Sequence, residues 1–401
     1  MTAVLDRPAT RRVSAELPTW AGFSLLASIV VTLLASSSAP TPLYALYQSE
    51  WGFSAITTTV VFGVYAIAVL AALLVAGSLS DHIGRRPVLL GGLLVQAATM
   101  WVFITAEGVP QLLAARVIQG LATGAVVGAV GAGLLDLDRE RGTVANAVAP
   151  MAGTAIGALL AGVFVQFLPA PTTLVYGFLS AVFALQAIGV LFLRETTPGR
   201  AGAWASLRPE IGLPVAARRP LLAATPALLA AWALGGFHLS LGPGLVRSAV
   251  HSDSRLLGAA AVFAMAATAA TVVLLLRKVS GPSMMYTGVI LVIAGVALTE
   301  FAVVASSATF LFASMLLSGA GFGASLQGSI RTIMPHAEAH ERAGLLSVVY
   351  TVSYLGMGLP AVVAGFLVVY AGGLTATVKW YGIAVILLAV TALLGLRTRR
   401  S

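Results

Sequence analysis

Side chains that could do acid–base or metal chemistry are few in this sequence. The 401 residues include 14 acidic residues, 5 histidines and no cysteine. The lack of cysteine excludes disulfides, thiol catalysis and thiolate metal sites. His336 and His340 have the i, i+4 spacing of metal ligands, with Glu338 between them. A zinc protease helix would place its glutamate directly after the first histidine, so we predict a solvated loop here and no metal site.

Three other titratable residues interrupt long apolar stretches: Arg116, His238 and Glu300. Such a side chain within a membrane span is costly, so each is a candidate for function. Structural alternatives stay open: Arg116 could extend to the nearer membrane surface, and His238 could be a buried structural residue. Glu300 falls near the end of its segment. The three residues lie in separate segments, which do not supply the cluster of nucleophile, base or metal ligands that an intramembrane enzyme needs, so we predict no enzymatic activity.

The elements that must position these residues follow from the composition. Apolar residues make up 59% of the chain and charged residues only 9%, whereas soluble domains carry about 25% charged residues. At roughly 20 apolar residues per crossing, the apolar residues suffice for about 12 spans. Runs this long are too long for barrel strands, so we predict an all-α integral membrane protein with 12 transmembrane helices. The predicted segments are residues 19–47, 54–80, 87–106, 108–135, 144–168, 172–193, 220–246, 256–276, 283–304, 307–334, 344–371 and 378–396.

The longest stretch without a span, residues 194–219, contains five arginines and three prolines. We interpret it as a cytoplasmic linker between an N-terminal six-helix bundle, residues 1–193, and a C-terminal one, residues 220–401. Nineteen of the 23 basic residues, including Arg7, Arg11, Arg12, Arg399 and Arg400, fall on the linker's side of the membrane. By the positive-inside rule, both termini are then cytoplasmic, in a multi-pass protein of the cell (inner) membrane.

The net charge and the first apolar segment each allow an alternative to this topology. The net charge of +9 would suggest nucleic acid for a soluble protein, but here it follows the membrane topology, so we predict no nucleic-acid partner. The first segment resembles a secretory signal, because arginines precede an apolar run that ends in small residues. Pro40 follows that run directly, and an even number of spans requires the segment, so we predict a membrane helix.

An internal repeat appears at an offset of 203 residues. Residues 153–162 of the fifth segment align with 356–365 of the eleventh, with four identities, and Gly120 aligns with Gly323. Six helices separate the copies, so both run in the same direction through the membrane, as expected for parallel halves that surround a central transport cavity. Small residues on these segments predict close helix packing; the candidates are Gly120, Gly124, Gly153, Gly157, Gly162, Gly356, Pro360 and Gly365.

The loop between the second and third segments reads GSLSDHIGRRPVLLGG over residues 77–92. Gly77, Asp81, Gly84, Arg85 and Arg86 match Gly-x-x-x-Asp-x-x-Gly-Arg-Arg/Lys, so the chain resembles the major facilitator superfamily. The resemblance implies the two-bundle fold of that superfamily and a gating role for this loop. We predict Asp81 at a helix C-terminus, where it needs a partner.

The resemblance also implies partners for the charged residues of this loop. When the cytoplasmic side is closed, Asp81 would meet the start of the eleventh helix, near residues 344–347. Arg85 and Arg86 would pair with a carboxylate at a neighbouring helix end, for which Asp136 and Asp138 are the candidates. The alternative is that both arginines serve only to orient the chain in the membrane.

The fourth and fifth segments bear on the branch of the superfamily. Arg116, Gln119 and Gly120 are similar to an Arg-x-x-Gln-Gly motif of proton-coupled members. The fifth segment has Ala158 and Ala161 where drug antiporters carry a proline and a glycine. The chain thus resembles the drug:proton antiporter-like branch, with a departure in the fifth helix.

The superfamily's cavity-lining helices carry few polar residues in this chain, which suits amphipathic solutes better than sugars. We predict a secondary active transporter that works by alternating access and exports small amphipathic compounds by proton coupling; the alternative is a metabolite or sugar carrier of the same superfamily. The candidates for proton coupling are Arg116, His238 and Glu300. No cofactor is expected beyond a proton gradient, and the partners are a small-molecule substrate and the lipid bilayer, around a monomer. The candidate substrate-binding residues are Tyr44, Tyr47, Gln119, Thr123, His238, Ser325 and Gln327.

Overall fold

The computed structural model describes residues 16–209, 211–252, 254–338 and 340–397. Within these ranges, twelve helices are long and apolar enough to span a membrane, and no strand occurs. The prediction of a 12-helix all-α membrane fold is confirmed. The helices are α1 (Thr19–Ser38 continued by Pro40–Trp51), α2 (Ala55–Ala76), α3 (Arg85–Ile104), α4 (Val109–Leu137), α5 (Arg139–Phe167), α6 (Pro171–Leu191), α7 (Val215–Val250), α8 (Arg255–Leu275), α9 (Gly281–Val304), α10 (Ala308–Ile333), α11 (Arg342–Tyr370) and α12 (Gly373–Arg397).

Several helices begin earlier than hydropathy predicts. Helix α5 starts at Arg139 rather than near 144, because the Asp138 side chain caps it by accepting from the Arg141 amide at 2.9 Å. Helices α7 and α12 start at Val215 and Gly373, five residues before their predicted starts at 220 and 378. Polar and basic residues at these ends stopped the apolar runs, but the backbone remains helical because only helical hydrogen bonds satisfy it near the bilayer.

The helices form two bundles, each with its own apolar core. One core extends from Leu26 to Leu193 and the other from Ala217 to Ala392. Around both bundles, large apolar side chains such as Leu185 and Leu275 point outward and are exposed. In water such a surface would aggregate, so it is the surface that contacts lipid.

The two bundles meet through α1 and α7, α2 and α11, and α5 and α8. We call the end of the molecule that carries residues 77–86 the motif end. Helices α2 and α11 pack together toward the opposite end, where Phe62 and Ala66 share a core with Met357 and Ala361. Further along, a Cβ on Gly365 would lie 3.1 Å from the Thr59 Cβ. Contact between the bundles is therefore tight at the end opposite the motif.

The sequence repeat is also a repeat of contacts. Gly153 lies against Val31 and Leu34 of α1, and its counterpart Gly356 lies against Leu229 of α7. The α1 and α7 residues that these two glycines contact are separated in the sequence by about the repeat offset. The last glycine of each copy contacts the other bundle instead: Gly162 approaches Ala259 of α8, and Gly365 approaches Thr59 of α2. The two halves are thus related by a pseudo-twofold axis that maps each set of contacts onto the other.

Candidate functional site

The loop at the motif end is folded around Arg85. Helix α2 ends at Ala76, and a separate short helix, Leu79–Ile83, carries Asp81. The prediction that Asp81 ends the second membrane helix is therefore wrong, because the chain turns at residues 77–78. The Arg85 guanidinium lies 2.5 Å from Asp81 and 3.4 Å from Asp136 Oδ2. Of the two candidate partners, Asp136 is thus the one brought to Arg85.

Glu195, which follows α6, holds the start of α3, and the sequence analysis did not identify it. Its carboxylate accepts from the backbone amides of Arg85 at 2.8 Å and Arg86 at 3.0 Å. It also accepts from the amides of Thr196 at 3.1 Å and Thr197 at 3.2 Å. A carboxylate at a helix N-terminus is stabilised by the helix dipole and by these unpaired amides. An acid immediately after an apolar run, beside two threonines, is the sequence signal that could have found it.

Gly84 is required by this arrangement for two reasons. Its φ of +97° is a conformation that other residues rarely adopt. A Cβ at this position would also lie 2.7 Å from the Glu195 Oε2 atom. Arg86, next to Arg85, donates from its side chain to the Leu191 carbonyl oxygen, so it ties α3 to the end of α6 rather than pairing with a carboxylate.

The segment between the bundles crosses the motif end and touches both halves. The Arg200 amide donates to the His82 carbonyl at 2.7 Å, and the Ser78 hydroxyl donates to the Ser206 carbonyl at 3.0 Å. At its other end, Gly212 lies so near Gly344 that a Cβ on Gly344 would be 2.8 Å from the Gly212 nitrogen. In this structure, the start of α11 is therefore packed against the linker. The short helix that carries Asp81 has its main contacts with α3, α4 and the 3-10 turn Ala205–Leu207.

Arg116 is completely buried inside the N-terminal bundle. Its guanidinium donates to the Ser37 carbonyl at 3.0 Å, to Gln119 Oε1 at 2.8 Å and to the Tyr44 hydroxyl at 2.8 Å. The face of the Tyr65 ring lies 4.7 Å from the guanidinium carbon, a distance at which cation–π attraction operates. The side chain does not extend to the membrane surface, so that alternative is wrong.

A second layer of buried polar groups supports Arg116. Gln119 donates to the Ser36 carbonyl at 3.0 Å, and Gln96 of α3 donates to the Thr123 hydroxyl at 2.8 Å. The hydroxyls of Tyr47 and Tyr176 form a hydrogen bond of 3.3 Å with each other. These side chains link α1, α3, α4 and α6, and so they fix the position of the charge from several sides.

A central cavity of about 150 Å³ lies between the two bundles. Its wall comes from α1, α2 and α5 on one side and from α7, α8, α10 and α11 on the other. Aromatic rings dominate one region, where Trp232 packs edge-on against Phe322 at 5.2 Å and lies 5.7 Å from Tyr354. Among the described residues of the wall, none is an acid, a lysine or an arginine. The cavity therefore presents an apolar and aromatic surface with few polar groups.

Only His238 of the seven substrate-binding candidates lies on the wall of this cavity. Tyr44, Tyr47, Gln119 and Thr123 are inside the N-terminal bundle. Tyr44 and Gln119 hydrogen-bond to Arg116, whereas Tyr47 pairs with Tyr176 and Thr123 with Gln96. Ser325 is buried at the α9–α10 contact, beside Gly288, and Gln327 lies on α10 outside the cavity lining. In this structure these six residues lie off the cavity wall, because hydropathy identifies a helix but does not fix its rotation about its axis; their role in substrate binding stays a prediction.

His238 and Glu300 lie in different places within the C-terminal bundle. His238 is buried, and its Nδ1 atom lies 2.9 Å from the Leu234 carbonyl oxygen. It borders both the central cavity and a small second cavity among α7, α9 and α12. The Glu300 carboxylate lies against Gly382 of α12, so that a Cβ there would collide with it.

The histidine pair predicted to lie in a loop is exposed. His336 ends a 3-10 turn that follows α10, and His340 Nδ1 lies 3.5 Å from Glu338 Oε2, with both side chains more than three-quarters exposed. Among the residues that the structure describes, no group of three or more potential ligands could hold a metal ion. Arg7, Arg11, Arg12, Arg399 and Arg400, which contributed to the predicted orientation, lie outside the described residues.

The packing glycines make the contacts that close helix approach requires. A Cβ on Gly120 would lie 2.6 Å from the Ala68 Cβ of α2, and one on Gly124 would lie 2.7 Å from the Ala72 Cβ. On Gly157 it would lie 2.5 Å from the Ala35 carbonyl carbon of α1. Pro360 lies within α11 and does not end that helix.

Two curated relatives match parts of the chain. A cephamycin export protein of Amycolatopsis lactamdurans is 31% identical over 175 residues, which cover 42% of this chain and 36% of that protein. An uncharacterized transporter of Rickettsia bellii is 28% identical over 119 residues, covering 29% of this chain and 28% of the relative. The chain thus matches about a third of the length of these relatives.

Solved structures with the same fold cover nearly the whole chain. A nucleoside transporter, NupG, superposes with a TM-score of 0.72 at 13% identity, covering 94% of this chain and 100% of the other. A human organic anion transporter gives a TM-score of 0.69 at 18% identity, with coverage of 94% and 100%. A bacterial homologue of the human lysosomal transporter Spinster, in an inward-facing and occupied conformation, gives 0.72 at 13% identity, with coverage of 94% and 96%.

The family itself is shown by a match over residues 25–276 to the model described as Major Facilitator Superfamily. This match spans more than half of the chain and includes the motif loop, Arg116 and the linker. The 12 helices, the paired bundles and the fold of the solved transporters agree with it. The protein is a multi-pass membrane transporter rather than an enzyme, and the chain belongs to the Major Facilitator Superfamily.

Proposed function

We propose that this protein is a secondary active transporter that exports small amphipathic compounds in exchange for protons. The observation that carries the proposal is the central cavity, whose wall is aromatic and aliphatic and is shared by both bundles. A site of this kind binds solutes mainly by apolar contact, with a few polar groups to orient them. Partial similarity to a cephamycin export protein also supports efflux.

Alternating access would proceed by rocking of the two bundles about the cavity. The protein would lie in the cell (inner) membrane as a monomer, with both termini and the motif end in the cytoplasm. Basic residues at the motif end, such as Arg139, Arg277 and Arg342, support this orientation. The tight α2–α11 contact at the opposite end would then close the outer side, so the structure would represent a state that faces the cytoplasm.

Energy would come from the proton gradient. One charge that moves across 100 mV yields about 2.3 kcal/mol, enough for a roughly 50-fold concentration ratio. Arg116, His238 and Glu300 are the candidate coupling groups. His238 is supported best by position, because it lies on the wall of the cavity in which substrate would bind, whereas Arg116 is held behind Tyr65 and Glu300 lies toward the end of α9.

The motif loop would act as a gate through Gly77, Asp81, Gly84, Arg85, Arg86 and Asp136. In the closed state, Asp81 would move to the start of α11, which Gly212 of the linker covers here. Arg85 would hold the loop to α4 through Asp136. If this proposal is correct, Asp81→Asn lowers the transport rate of reconstituted protein without lowering its thermal stability; unchanged transport would contradict the gating role.

A metabolite or sugar carrier is the competing assignment within the superfamily. Sugars require many hydrogen bonds, and the cavity wall offers few polar atoms. Reconstituted protein should be tested in proteoliposomes with an imposed pH gradient, using a panel of amphipathic compounds, sugars and organic acids. We expect amphipathic compounds to change the internal pH and a protonophore to abolish their uptake into inside-out vesicles. Transport that survives the protonophore would exclude proton coupling, and movement of sugars alone would favour the alternative.

A further inference from the structure

Two polar atoms on the cavity wall have no hydrogen-bond partner among the described residues: Trp232 Nε1 and His238 Nε2. Both side chains come from α7, where their positions differ by six, which corresponds to about 9 Å along the helix and about 120° around its axis. Both residues line the central cavity, and Gly235, midway between them on the helix, also lines it. One helix therefore contributes both residues to the wall of the space where a substrate would bind.

The chemistry of the two atoms is opposite. The tryptophan Nε1 is only a donor. The His238 Nδ1 atom lies 2.9 Å from the Leu234 carbonyl oxygen, which can only accept. Neutral His238 therefore carries its proton on Nδ1, and its Nε2 is left as an acceptor. A ligand that satisfied both would bring an acceptor to Trp232 and a donor to His238.

The other residues of the cavity wall restrict the shape and the charge of the rest of the ligand. Trp232 packs edge-on against Phe322 and lies near Tyr354, which creates an aromatic surface next to its N–H group. No acid, lysine or arginine lies among the described wall residues, so a full charge on the ligand would have no ionic partner. The guanidinium of Arg116 is already occupied by Ser37, Gln119 and Tyr44.

We propose that the substrates are neutral, planar aromatic compounds that carry one hydrogen-bond acceptor, bound by Trp232, and one donor, bound by His238. This inference rests on the proposed export function and names its substrate class. Ligand polarity would then be recognised mainly from α7, because the serine and threonine hydroxyls that α1 and α5 bring to the wall already donate to backbone carbonyl oxygens. The cavity volume of about 150 Å³ is similar to that of an engineered apolar cavity that holds benzene, so a single aromatic ring is the matching size.

Binding to purified protein in lipid nanodiscs, without any gradient, tests the inference. The probes are methyl 4-hydroxybenzoate, which has both groups, methyl 4-methoxybenzoate, which lacks the donor, and 4-methylphenol, which lacks the carbonyl acceptor. For the wild type we expect methyl 4-hydroxybenzoate to bind about three- to tenfold more tightly than either analogue, as one hydrogen bond is worth. The anion 4-hydroxybenzoate and the cation tetraphenylphosphonium should bind more weakly.

Each variant should remove one preference and keep the other. His238→Asn keeps a group that can donate to the Leu234 carbonyl but loses the Nε2 acceptor, so it should lose the preference for hydroxyl over methoxyl. Trp232→Phe keeps an aromatic ring but loses the donor, so it should lose the preference for methyl 4-hydroxybenzoate over 4-methylphenol. His251→Asn and Trp101→Phe change exposed residues of the same types and should preserve both preferences.

The outcomes separate this inference from the export function. Unchanged preferences in the two cavity variants, tighter binding of either charged probe, or no saturable binding of the neutral probes would overturn the substrate class. If the preferences follow the prediction but none of these compounds drives a proton flux in proteoliposomes, proton-coupled export is wrong while the recognition by α7 stands. Thermal unfolding detects a variant that has lost stability. If His238→Asn is unstable, His238→Gln, which returns a polar group near the Nε2 position, should restore part of the preference for hydroxyl over methoxyl.

Discussion

Arg116 is held as a buried charge by neutral partners that come from three helices, α1, α2 and α4. Its contacts are a carbonyl oxygen, an amide oxygen, a hydroxyl and the face of an aromatic ring. The guanidinium is therefore satisfied by hydrogen bonds and a ring contact, without an ion pair. The arrangement makes α1 and α4 depend on one another, since Ser37 and Tyr44 belong to α1.

Replacing Arg116 should therefore destabilise the protein. Arg116→Ala leaves the Ser37 carbonyl and the Tyr44 hydroxyl without their donor, and each unsatisfied buried group costs about 1–3 kcal/mol. We expect a loss of about 3 kcal/mol in the free energy of unfolding, and a smaller loss for Arg116→Lys, which keeps the charge but not the planar fork. Thermal unfolding in detergent measures this. Arg141→Gln, at a side chain that is 79% exposed, is the control, and equal stability of the two variants would contradict the role.

Glu195 should stabilise the start of α3 through its charge. Glu195→Gln keeps the shape but removes the negative charge at the helix N-terminus, which is worth about 0.3–1 kcal/mol at exposed sites and more when partly buried. Glu195→Ala should cost about 2 kcal/mol because it also leaves backbone amides unpaired. Faster hydrogen exchange at residues 85–88 would accompany the loss. Glu338→Gln, at a side chain that is 79% exposed in the loop before α11, serves as the comparison; if it had the same effect, a general charge effect would replace the capping role.

Sequence reasoning at this scale succeeded where chemistry limits the choices. Arg85 needs a carboxylate, and Asp136 is close in topology, so the pair could be predicted. Tyr44 and Gln119 could not be placed correctly, because a polar residue on a membrane helix can serve a buried charge as well as a ligand. Trp232, Phe322 and Tyr354 were missed because aromatic residues on an apolar helix resemble lipid-facing ones in the sequence.

At the scale of elements, glycine contacts set how closely the helices approach. Helix α5 touches α1 so closely at Gly157 that a Cβ would lie 2.5 Å from the Ala35 carbonyl carbon. Such contacts replace the hydrophobic driving force that is missing between helices in lipid. The sequence predicted these positions from the repeat and from small-residue spacing. It did not reveal which neighbour each glycine contacts, because that depends on the arrangement of all twelve helices.

Gly157→Ala should force α1 away from α5. The contact is with backbone, which cannot rotate aside, so we expect a loss of about 2 kcal/mol in unfolding free energy, within the range for overpacked cores. Gly177→Ala provides a matched control, because nothing lies within 4 Å of the Cβ position in helix α6. That change should be neutral or stabilising by about 0.5–1 kcal/mol. Thermal unfolding of both variants side by side measures the difference, and a neutral Gly157→Ala would contradict the close contact.

At the scale of the whole molecule, the pseudo-twofold arrangement links the sequence repeat to transport. Residues 153–162 and 356–365 have equivalent contacts in the two halves, and the last glycine of each crosses to the other bundle. The number of helices, the fold and the parallel repeat were all predictable, because hydropathy and the repeat offset determine them. The meeting of α2 and α11 at one end could not be predicted, since in the proposed alternating-access cycle the same sequence would also support a second state.

Alternating access requires the α2–α11 contact to open, and a reversible crosslink there is the most direct test. The chain has no cysteine, so Thr59→Cys combined with Gly365→Cys introduces a single pair, whose Cβ atoms start 3.1 Å apart by the geometry at Gly365. A small shift reaches the 3.5–4.5 Å of a disulfide. In proteoliposomes, we expect the reduced double variant to change the internal pH when an exported compound is added, the oxidised form to show no change, and reduction to restore it. Each single variant should respond equally before and after oxidation. A pH response that persists in the fully crosslinked protein would contradict alternating access through this contact.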